Sequence, residues 1–417
     1  MGTPAVPQAV HDAAALSEWR RGWPLVALTA LGLTCAPVTL PVYTIGVFVA
    51  PLQQAFGWTR GEIQTAILFS TGLAVISAPL AGGFIKRFGI RNTILPGLVG
   101  IALACMLAGA MTGALWQLYA AYSAMAVLGA GAGAVAWTSL IAGAFTKARG
   151  LALGLALSGT GLCAILMPQL AAAAMADYGW RGAYLAFAAF ALLVVLPLCA
   201  LVLPRRSGSA LVDQVETAPQ AGITMADAIR HRRFWILGFS TACIYLAVGG
   251  IIPNLVPALT DKGLSASAAA SIMSVFGASV IVGRIAVGAL VDRFWAPAVA
   301  ALVLVPAALA CLVFGASAGF ATYAFAAALI GVATGMEFDV LGFLTARYFG
   351  LADFARIYGR VYIFVAAAAG LAPLLFGYAY DLSGSYSLAL YAAAVLLGAG
   401  AVGLLLLGRY PVLAPAP

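Results

Sequence analysis

Charged residues are so unevenly spaced in this chain that they divide it into twelve long apolar segments. About 20 apolar residues in an α-helix cross the ~30 Å hydrocarbon core of a bilayer. Only 8% of the 417 residues are charged and 64% are hydrophobic, a composition that excludes a soluble fold. We therefore predict an all-α membrane protein with twelve transmembrane helices. These spans, numbered 1 to 12 in chain order, are 23–49, 61–84, 93–113, 116–145, 149–175, 181–203, 233–259, 266–291, 296–317, 320–346, 359–380 and 385–408.

The basic residues predict the orientation in the membrane. Of 21 Lys and Arg residues, Arg60, Arg181 and Lys262 fall in loops on one side and Arg284 falls inside span 8. All the others fall in the tails and loops of the opposite side, which the positive-inside rule assigns to the cytoplasm. We expect a multi-pass protein of the cytoplasmic (inner) membrane with both termini cytoplasmic and no cleaved signal peptide. Topology explains the net charge of +8, so no nucleic-acid partner is expected.

The spans divide into two groups of six that look duplicated. A polar stretch separates spans 6 and 7, and a shift of 206 residues superposes Gly82 on Gly288 and Arg87 on Arg293. Such internal repeats are typical of secondary carriers. The predicted organisation is a cytoplasmic tail (1–22), an N-terminal six-helix bundle (23–203), a cytoplasmic linker (204–232), a C-terminal six-helix bundle (233–408) and a cytoplasmic tail (409–417).

Three charges lie deep within the predicted spans, away from the span ends. Arg284 costs roughly 2.5–3.5 kcal/mol to insert into a bilayer, which makes it a candidate functional residue. Glu337 and Asp339 in span 10 lie at a similar depth, about 12–15 Å from the cytoplasmic ends of their helices at ~1.5 Å per residue. We predict a carboxylate–guanidinium site that exchanges partners, with a fixed structural ion pair as the alternative. The 206-residue shift places Ala78 opposite Arg284, so only one half carries the cation.

The two acids are the candidates for proton coupling. They are two residues apart, about 200° around a helix, so we expect only one of them to face the site. Glu337 is favoured, because Asp339 extends the small-residue stripe Gly331 and Gly335, which suits helix packing. A substrate carboxylate that binds Arg284 would displace the acid, and the displaced acid would take up a proton.

The loops after spans 2 and 8 resemble the loop motif of the major facilitator superfamily, roughly G-x-x-x-D-R-x-G-x-R. The first copy reads GGFIKRFGIR from Gly82, and the second reads GALVDRF from Gly288. The resemblance implies the major facilitator fold and a gating role for Lys86, Arg87, Asp292 and Arg293. The first copy departs from the pattern, since Lys86 stands where the family has an acid.

Other segments resemble the monocarboxylate porter family, which includes oxalate/formate exchangers. The segment FTKARGLALGLALSG from Phe145 matches its signature before span 5, and Gly283-Arg284 matches its span-8 pattern, whose Arg binds the substrate carboxylate. Span 11 lacks the second cation of dicarboxylate carriers, which favours a substrate with one carboxylate. The resemblance implies short acids such as lactate or pyruvate, with larger aromatic or aliphatic acids left open.

Aromatic and amide side chains are candidates to complete the substrate site, although packing or an interfacial position is the alternative for each. They are Tyr43, Tyr119, Trp137, Tyr245, Asn254 and Tyr362.

The predicted function is secondary active transport of a monocarboxylate anion by alternating access, as a proton-coupled symport. The expected partners are a small carboxylate, protons and the lipid bilayer, and we expect a monomer with no cofactor or metal.

An anion exchanger of the same family remains an alternative, as does a multidrug or cation efflux carrier, against which Arg284 argues. A nutrient sensor is disfavoured because the chain lacks a long cytosolic domain. A channel is disfavoured because the chain lacks a continuous polar lining. No catalytic grouping of Ser, His, Cys or Asp is recognisable, so the chain is not expected to be an enzyme.

Overall fold

The computed structural model describes residues 8–145, 148–204, 222–316 and 318–411. The first seven residues of the predicted N-terminal tail, Lys147, residues 205–221 of the predicted linker and residues 412–417 lie outside the described residues. Within the described ranges the secondary structure is helical, and the one β-bridge joins Gly222 to Gly350. The all-helical fold class predicted from the sequence is therefore confirmed.

Every predicted span falls on helical residues. The helices of the first half are Gln8–Leu33 and Thr39–Phe56 (span 1), Arg60–Phe88 (span 2), Arg91–Gly109 (span 3), Leu115–Leu128 and Ala134–Ala144 (span 4), Arg149–Leu157 and Gly159–Ala189 (span 5 and the start of span 6) and Leu196–Val202 (the end of span 6). The helices of the second half are Arg232–Asp261 (span 7), Ala266–Arg293 (span 8), Ala296–Gly315 (span 9), Phe320–Phe349 (span 10), Phe354–Ser383 (span 11) and Ser387–Leu405 (span 12), preceded by the short helix Met225–Arg230.

Eight helices of the described part are individually long and apolar enough to cross a membrane, and a ninth, span 2, qualifies when its bend near Pro79 is allowed for. One of the eight, Arg149–Val202, is 54 residues long and holds both predicted spans 5 and 6. The chain reverses inside it at Gly179, whose φ of +66° is readily adopted by glycine. The first helix also starts at Gln8, within the predicted tail.

Spans 1 and 4 are each broken into two helices by local sequence. Span 1 is interrupted between Leu33 and Thr39, where Pro37 lacks the N–H that a continuous helix needs. Span 4 changes at the glycine-rich run Gly129–Gly133 into a short 3-10 turn, Ala130–Ala132. There the main chains approach closely, since a Cβ on Gly131 would lie 2.1 Å from the carbonyl oxygen of Thr93 in span 3.

The two groups of six spans meet mainly along three helix pairs: span 2 with span 11, span 5 with span 8, and span 1 with span 7. We call the end of the bundle where span 2 begins the Arg60 end, and the end where span 8 finishes the Arg293 end. Hydrogen bonds between the two groups, among the described residues, lie at the Arg60 end or near the middle of the spans. The bundle is therefore held closed towards the Arg60 end.

Candidate functional site

Spans 8 and 10 pack against each other through glycines that let their main chains approach closely. A Cβ on Gly283 would lie 2.5 Å from the carbonyl oxygen of Val332, and one on Gly331 would lie 2.5 Å from that of Phe276. A Cβ on Gly335 would lie 2.8 Å from the backbone nitrogen of Arg284, so this position is equally restricted. This close packing positions the next residue of the stripe, one turn further along span 10, beside the side chain of Arg284.

That next residue is Asp339, which forms an ion pair with Arg284. The distance between Arg284 Nε and Asp339 Oδ2 is 3.9 Å, too long for a hydrogen bond. The Arg284 side chain is 3% exposed and that of Asp339 is 36% exposed, so the acid is the more accessible partner of the pair. Arg284 Nε and Nη1 have no hydrogen-bond partner within the described part of the chain. The guanidinium thus keeps most of its donor capacity unused.

The sequence favoured Glu337 as the acid that faces Arg284, and the structure corrects this preference. Asp339 makes the contact because it continues the stripe of Gly331 and Gly335, which packs on span 8. Glu337 is 7% exposed and faces span 7 instead. It still lies close enough to Arg284 for electrostatic interaction, as Asp339 does. Both acids therefore lie within electrostatic range of the one cation, and Asp339 is the one in contact with it.

Glu337 and Tyr245 line a small cavity between spans 7, 10 and 12. Its volume is about 20 Å³, which is room for about one water molecule. Glu337 Oε1 is buried without a hydrogen-bond partner among the described residues. The other lining residues are Thr241, Ile244, Met336, Val340, Leu341, Leu344 and Leu404.

Three of the predicted aromatic residues lie near this site. Tyr43 and Tyr245 are buried, and both are within electrostatic range of Arg284 and Glu337. Tyr362 stacks on Tyr358 with ring centroids 6.2 Å apart, and both phenols lie within electrostatic range of Tyr245. The structure therefore brings together residues from spans 1, 7, 8, 10 and 11.

The remaining predicted residues make packing contacts elsewhere. Tyr119 donates a hydrogen bond to the carbonyl oxygen of Glu62 at 3.1 Å and stacks on Phe69. Trp137 is fully buried, donates to the carbonyl oxygen of Ala132 at 2.9 Å and packs on Gly32 of span 1.

Asn254 lies between the two groups of spans, where it accepts a hydrogen bond from Gln64 Nε2 at 3.1 Å. Its own amide nitrogen donates to the carbonyl oxygen of Gly250 at 2.9 Å. This position places Asn254 in the contact between spans 2 and 7, on the side of the Arg60 end.

A polar cluster that sequence reasoning missed closes the Arg60 end. Arg60 pairs in bidentate fashion with Asp261 of span 7, with N–O distances of 2.6 and 2.7 Å, and its guanidinium lies 3.7 Å from the centroid of the Tyr380 ring. The backbone N–H groups of Arg60 and Gly61 both donate to Asp381 of span 11. We call Arg60, Asp261, Tyr380 and Asp381 the Arg60 cluster. The only sequence signal was that Arg60 is one of few basic residues on its side.

The predicted gating residues lie at the opposite end and are exposed. Lys86, Arg87, Asp292 and Arg293 are all on the surface at the Arg293 end. Arg87 lies 5.2 Å from the ring centroid of its neighbour Phe88. No ion pair or hydrogen bond joins these four side chains across the two groups of spans within the described ranges.

A bundle of long apolar helices with a buried cation near two acids indicates a membrane transporter. The sequence profile of the family described as Major Facilitator Superfamily matches residues 23–321 and 237–417. The chain belongs to the major facilitator superfamily, and it is a transporter rather than an enzyme.

Within that superfamily the resemblance to the monocarboxylate porters is confirmed. The chain is 30% identical over 406 residues to a Bos taurus protein named monocarboxylate transporter 13, covering 93% of this chain and 90% of the relative. It is 26% identical over 396 residues to monocarboxylate transporter 11 of Mus musculus, covering 88% and 83%. It is also 25% identical over 343 residues to the uncharacterized MFS-type transporter YhjX of Escherichia coli (strain K12), covering 81% and 84%.

Proposed function

We propose that this protein carries a monocarboxylate anion across the cytoplasmic membrane by alternating access, with a proton moving in the same direction. The carboxylate binds the guanidinium of Arg284, and the acids of span 10 provide the proton coupling. Both termini face the cytoplasm in this proposal, so the Arg293 end is the cytoplasmic end and the structure corresponds to a cytoplasm-open conformation.

The observation that carries the proposal is the incomplete pairing of Arg284. A permanently charged guanidinium within a bilayer normally needs a partner with good geometry, because burying an unpaired charge is strongly unfavourable. Here the partner stands at 3.9 Å and two guanidinium nitrogens lack a hydrogen bond. A carboxylate can make two parallel, charge-assisted hydrogen bonds to such a fork. The loosely held pair is therefore suited to partner exchange rather than to a fixed structural tie.

The single cation also supports a substrate with one carboxylate. Among the described residues within the spans near the site, Arg284 is the cation that Glu337 and Asp339 share. The names of the relatives, monocarboxylate transporters 13 and 11, point to the same substrate class. A cation carrier would need an acid in a cavity without a cation, which is not the arrangement around Arg284.

The proposal is tested by ligand-induced thermal stabilisation of the purified protein. Substrates bind the native state and stabilise it, by about 2.7 kcal/mol when their concentration is 100 times Kd. We expect lactate, pyruvate or benzoate to raise the melting temperature of the wild-type protein more than succinate does. Arg284→Ala should abolish this rise, because the carboxylate loses its charged hydrogen-bond donor.

Arg356→Ala is the matched control. Arg356 lies at the start of span 11, its side chain is 79% exposed, and it pairs only with the nearby Asp353. This variant should keep the full stabilisation. If Arg284→Ala is still stabilised by the same acids as the wild type, Arg284 does not bind the carboxylate and the proposal is wrong.

A further inference from the structure

We infer that Glu337, and not Asp339, takes up the proton that accompanies the carboxylate, while Asp339 is the ionised partner that the carboxylate displaces from Arg284. This inference rests on the proposed function and assigns separate roles to the two acids. It starts from their different surroundings, since Glu337 is 7% exposed and lines a small, mainly apolar cavity, whereas the Asp339 side chain is 36% exposed.

The cavity beside Glu337 is suited to a proton rather than to a metal ion. Its lining contributes oxygen atoms from three side chains, those of Thr241, Tyr245 and Glu337, and is otherwise apolar. Hard cations need six or more oxygen ligands, which this cavity does not offer. One water molecule fits, and Glu337 Oε1 faces the space without a hydrogen bond from the described residues. A proton on this oxygen satisfies it directly or through that water.

Arg284 is the charge that decides the state of Glu337. The titratable groups around Glu337 are Tyr43 from span 1, Tyr245 from span 7, Arg284 from span 8, Asp339 on its own helix, and Tyr358 and Tyr362 from span 11. The phenols ionise only in alkaline solution, so Arg284 is the group whose positive charge can compensate an ionised Glu337. In the empty site Asp339 pairs with Arg284 only loosely, at 3.9 Å, so the charge of the guanidinium still acts on Glu337. A substrate carboxylate that makes two hydrogen bonds to the guanidinium compensates this charge more fully. A charged Glu337 is then left in apolar surroundings, and binding a proton removes its charge.

Asp339 does not need a proton when it is displaced. Its side chain is 36% exposed, whereas that of Arg284 is 3% exposed. When a carboxylate takes its place on the guanidinium, Asp339 turns towards water and stays ionised. The charges then balance: one carboxylate enters with one negative charge, and one proton from water binds Glu337. When the carboxylate leaves, Asp339 returns to its loose contact with Arg284, the guanidinium again acts on Glu337, and Glu337 releases the proton.

Two isosteric variants in proteoliposomes separate the roles, with radiolabelled lactate and benzoate as probes and an internal pH dye. Glu337→Gln resembles the permanently protonated state. It should exchange internal for external probe within about threefold of the wild-type rate, yet lose probe-driven proton movement and accumulation driven by a pH gradient. Asp339→Asn should keep proton movement with each probe molecule, because Glu337 is intact.

Four results would overturn the inference. The first is proton movement at the wild-type level in Glu337→Gln. The second is loss of proton movement in Asp339→Asn but not in Glu337→Gln. The third is accumulation of the probe driven by a Na⁺ gradient. Loss of exchange together with accumulation in Glu337→Gln would also overturn it, by placing Glu337 in substrate binding. If Glu337→Gln does not fold, Glu337→Asp must shift the pH dependence of accumulation. The proposed function fails separately, when Arg284→Ala exchanges either probe at the wild-type rate.

Discussion

At the scale of single residues, the distinctive feature is a cation whose nearest acid is too far away for a hydrogen bond. Arg284 Nε and Asp339 Oδ2 are 3.9 Å apart, whereas the Arg60–Asp261 pair in the same molecule is bidentate at 2.6 and 2.7 Å. The tight ion pair thus joins the two groups of spans at the Arg60 end, and the loose one lies at the candidate site. This difference suits a guanidinium that has to accept another carboxylate.

The planar fork of Arg284 is expected to matter as well as its charge. Lysine keeps the positive charge but offers a point-like ammonium that cannot bind a carboxylate through two parallel hydrogen bonds. Arg284→Lys should therefore weaken probe binding about tenfold, which corresponds to about 1.4 kcal/mol. Titration of the thermal shift with lactate or benzoate measures this change. Equal affinity in the Lys variant and the wild type would mean that charge alone holds the substrate.

The sequence identified the charges of the site but not their contacts. Arg284, Glu337 and Asp339 were recognisable because a charge inside an apolar span is costly and therefore conspicuous. Which acid meets Arg284 depends on how span 10 is rotated against span 8, and a single helix does not reveal that. Tyr119, Trp137 and Asn254 were named for chemistry that serves packing equally well, and their described contacts are packing and hydrogen-bond contacts away from Arg284.

At the scale of elements, the contact between spans 8 and 10 depends on glycines that allow main-chain approach. Gly335→Ala should lower the melting temperature, because the added Cβ would lie 2.3 Å from the carbonyl oxygen of Val280. Overpacking of this kind costs typically about 1–3 kcal/mol. The change should also weaken probe binding, since it moves span 10 away from Arg284.

Gly342→Ala is the control on the same helix. The nearest heavy atom to a Cβ at this position is 4.0 Å away, on the flexible ring of Tyr358. Melting curves of both variants in the same detergent provide the measurement. Equal melting temperatures for the two variants would show that the close approach at Gly335 is not needed for stability.

Helix positions were predictable from the sequence to a greater extent than helix continuity. Hydropathy located all twelve spans, because the energetic demand for about 20 apolar residues applies to each one. The breaks in spans 1 and 4 depend on contacts with neighbouring helices, such as the approach of Gly131 to Thr93, which no local pattern reveals. The assignment of residues 23–203 and 233–408 to two bundles stays a prediction.

At the scale of the whole molecule, polar contacts between the two groups of spans gather towards one end. The Arg60 cluster joins span 2 to spans 7 and 11, and the described residues at the Arg293 end make no comparable polar contact. Asp261→Asn should weaken this closure, because the bidentate ion pair with Arg60 becomes at most a neutral hydrogen bond. The fraction of molecules open at the Arg60 end should rise.

Labelling of a cysteine placed at position 254, buried between spans 2 and 7, measures this opening. We expect a membrane-impermeant maleimide to react several times faster when Asp261→Asn is added. Asp177→Asn is the control, since Asp177 is exposed on the helix Gly159–Ala189, two residues before Gly179, and has no ion-pair partner among the described residues. An unchanged labelling rate in Asp261→Asn would exclude a gating role for the Arg60 cluster.

The closed contact has a second component that no side-chain substitution removes. A Cβ on Gly46 would lie 2.4 Å from the carbonyl oxygen of Pro253, and one on Gly161 would lie 2.5 Å from that of Gly277. Here main chain touches main chain, so separation requires whole helices to tilt together. Tilting changes how helices fit the hydrocarbon thickness around them. The turnover rate should therefore vary with lipid chain length, which makes the surrounding bilayer a regulator of this carrier.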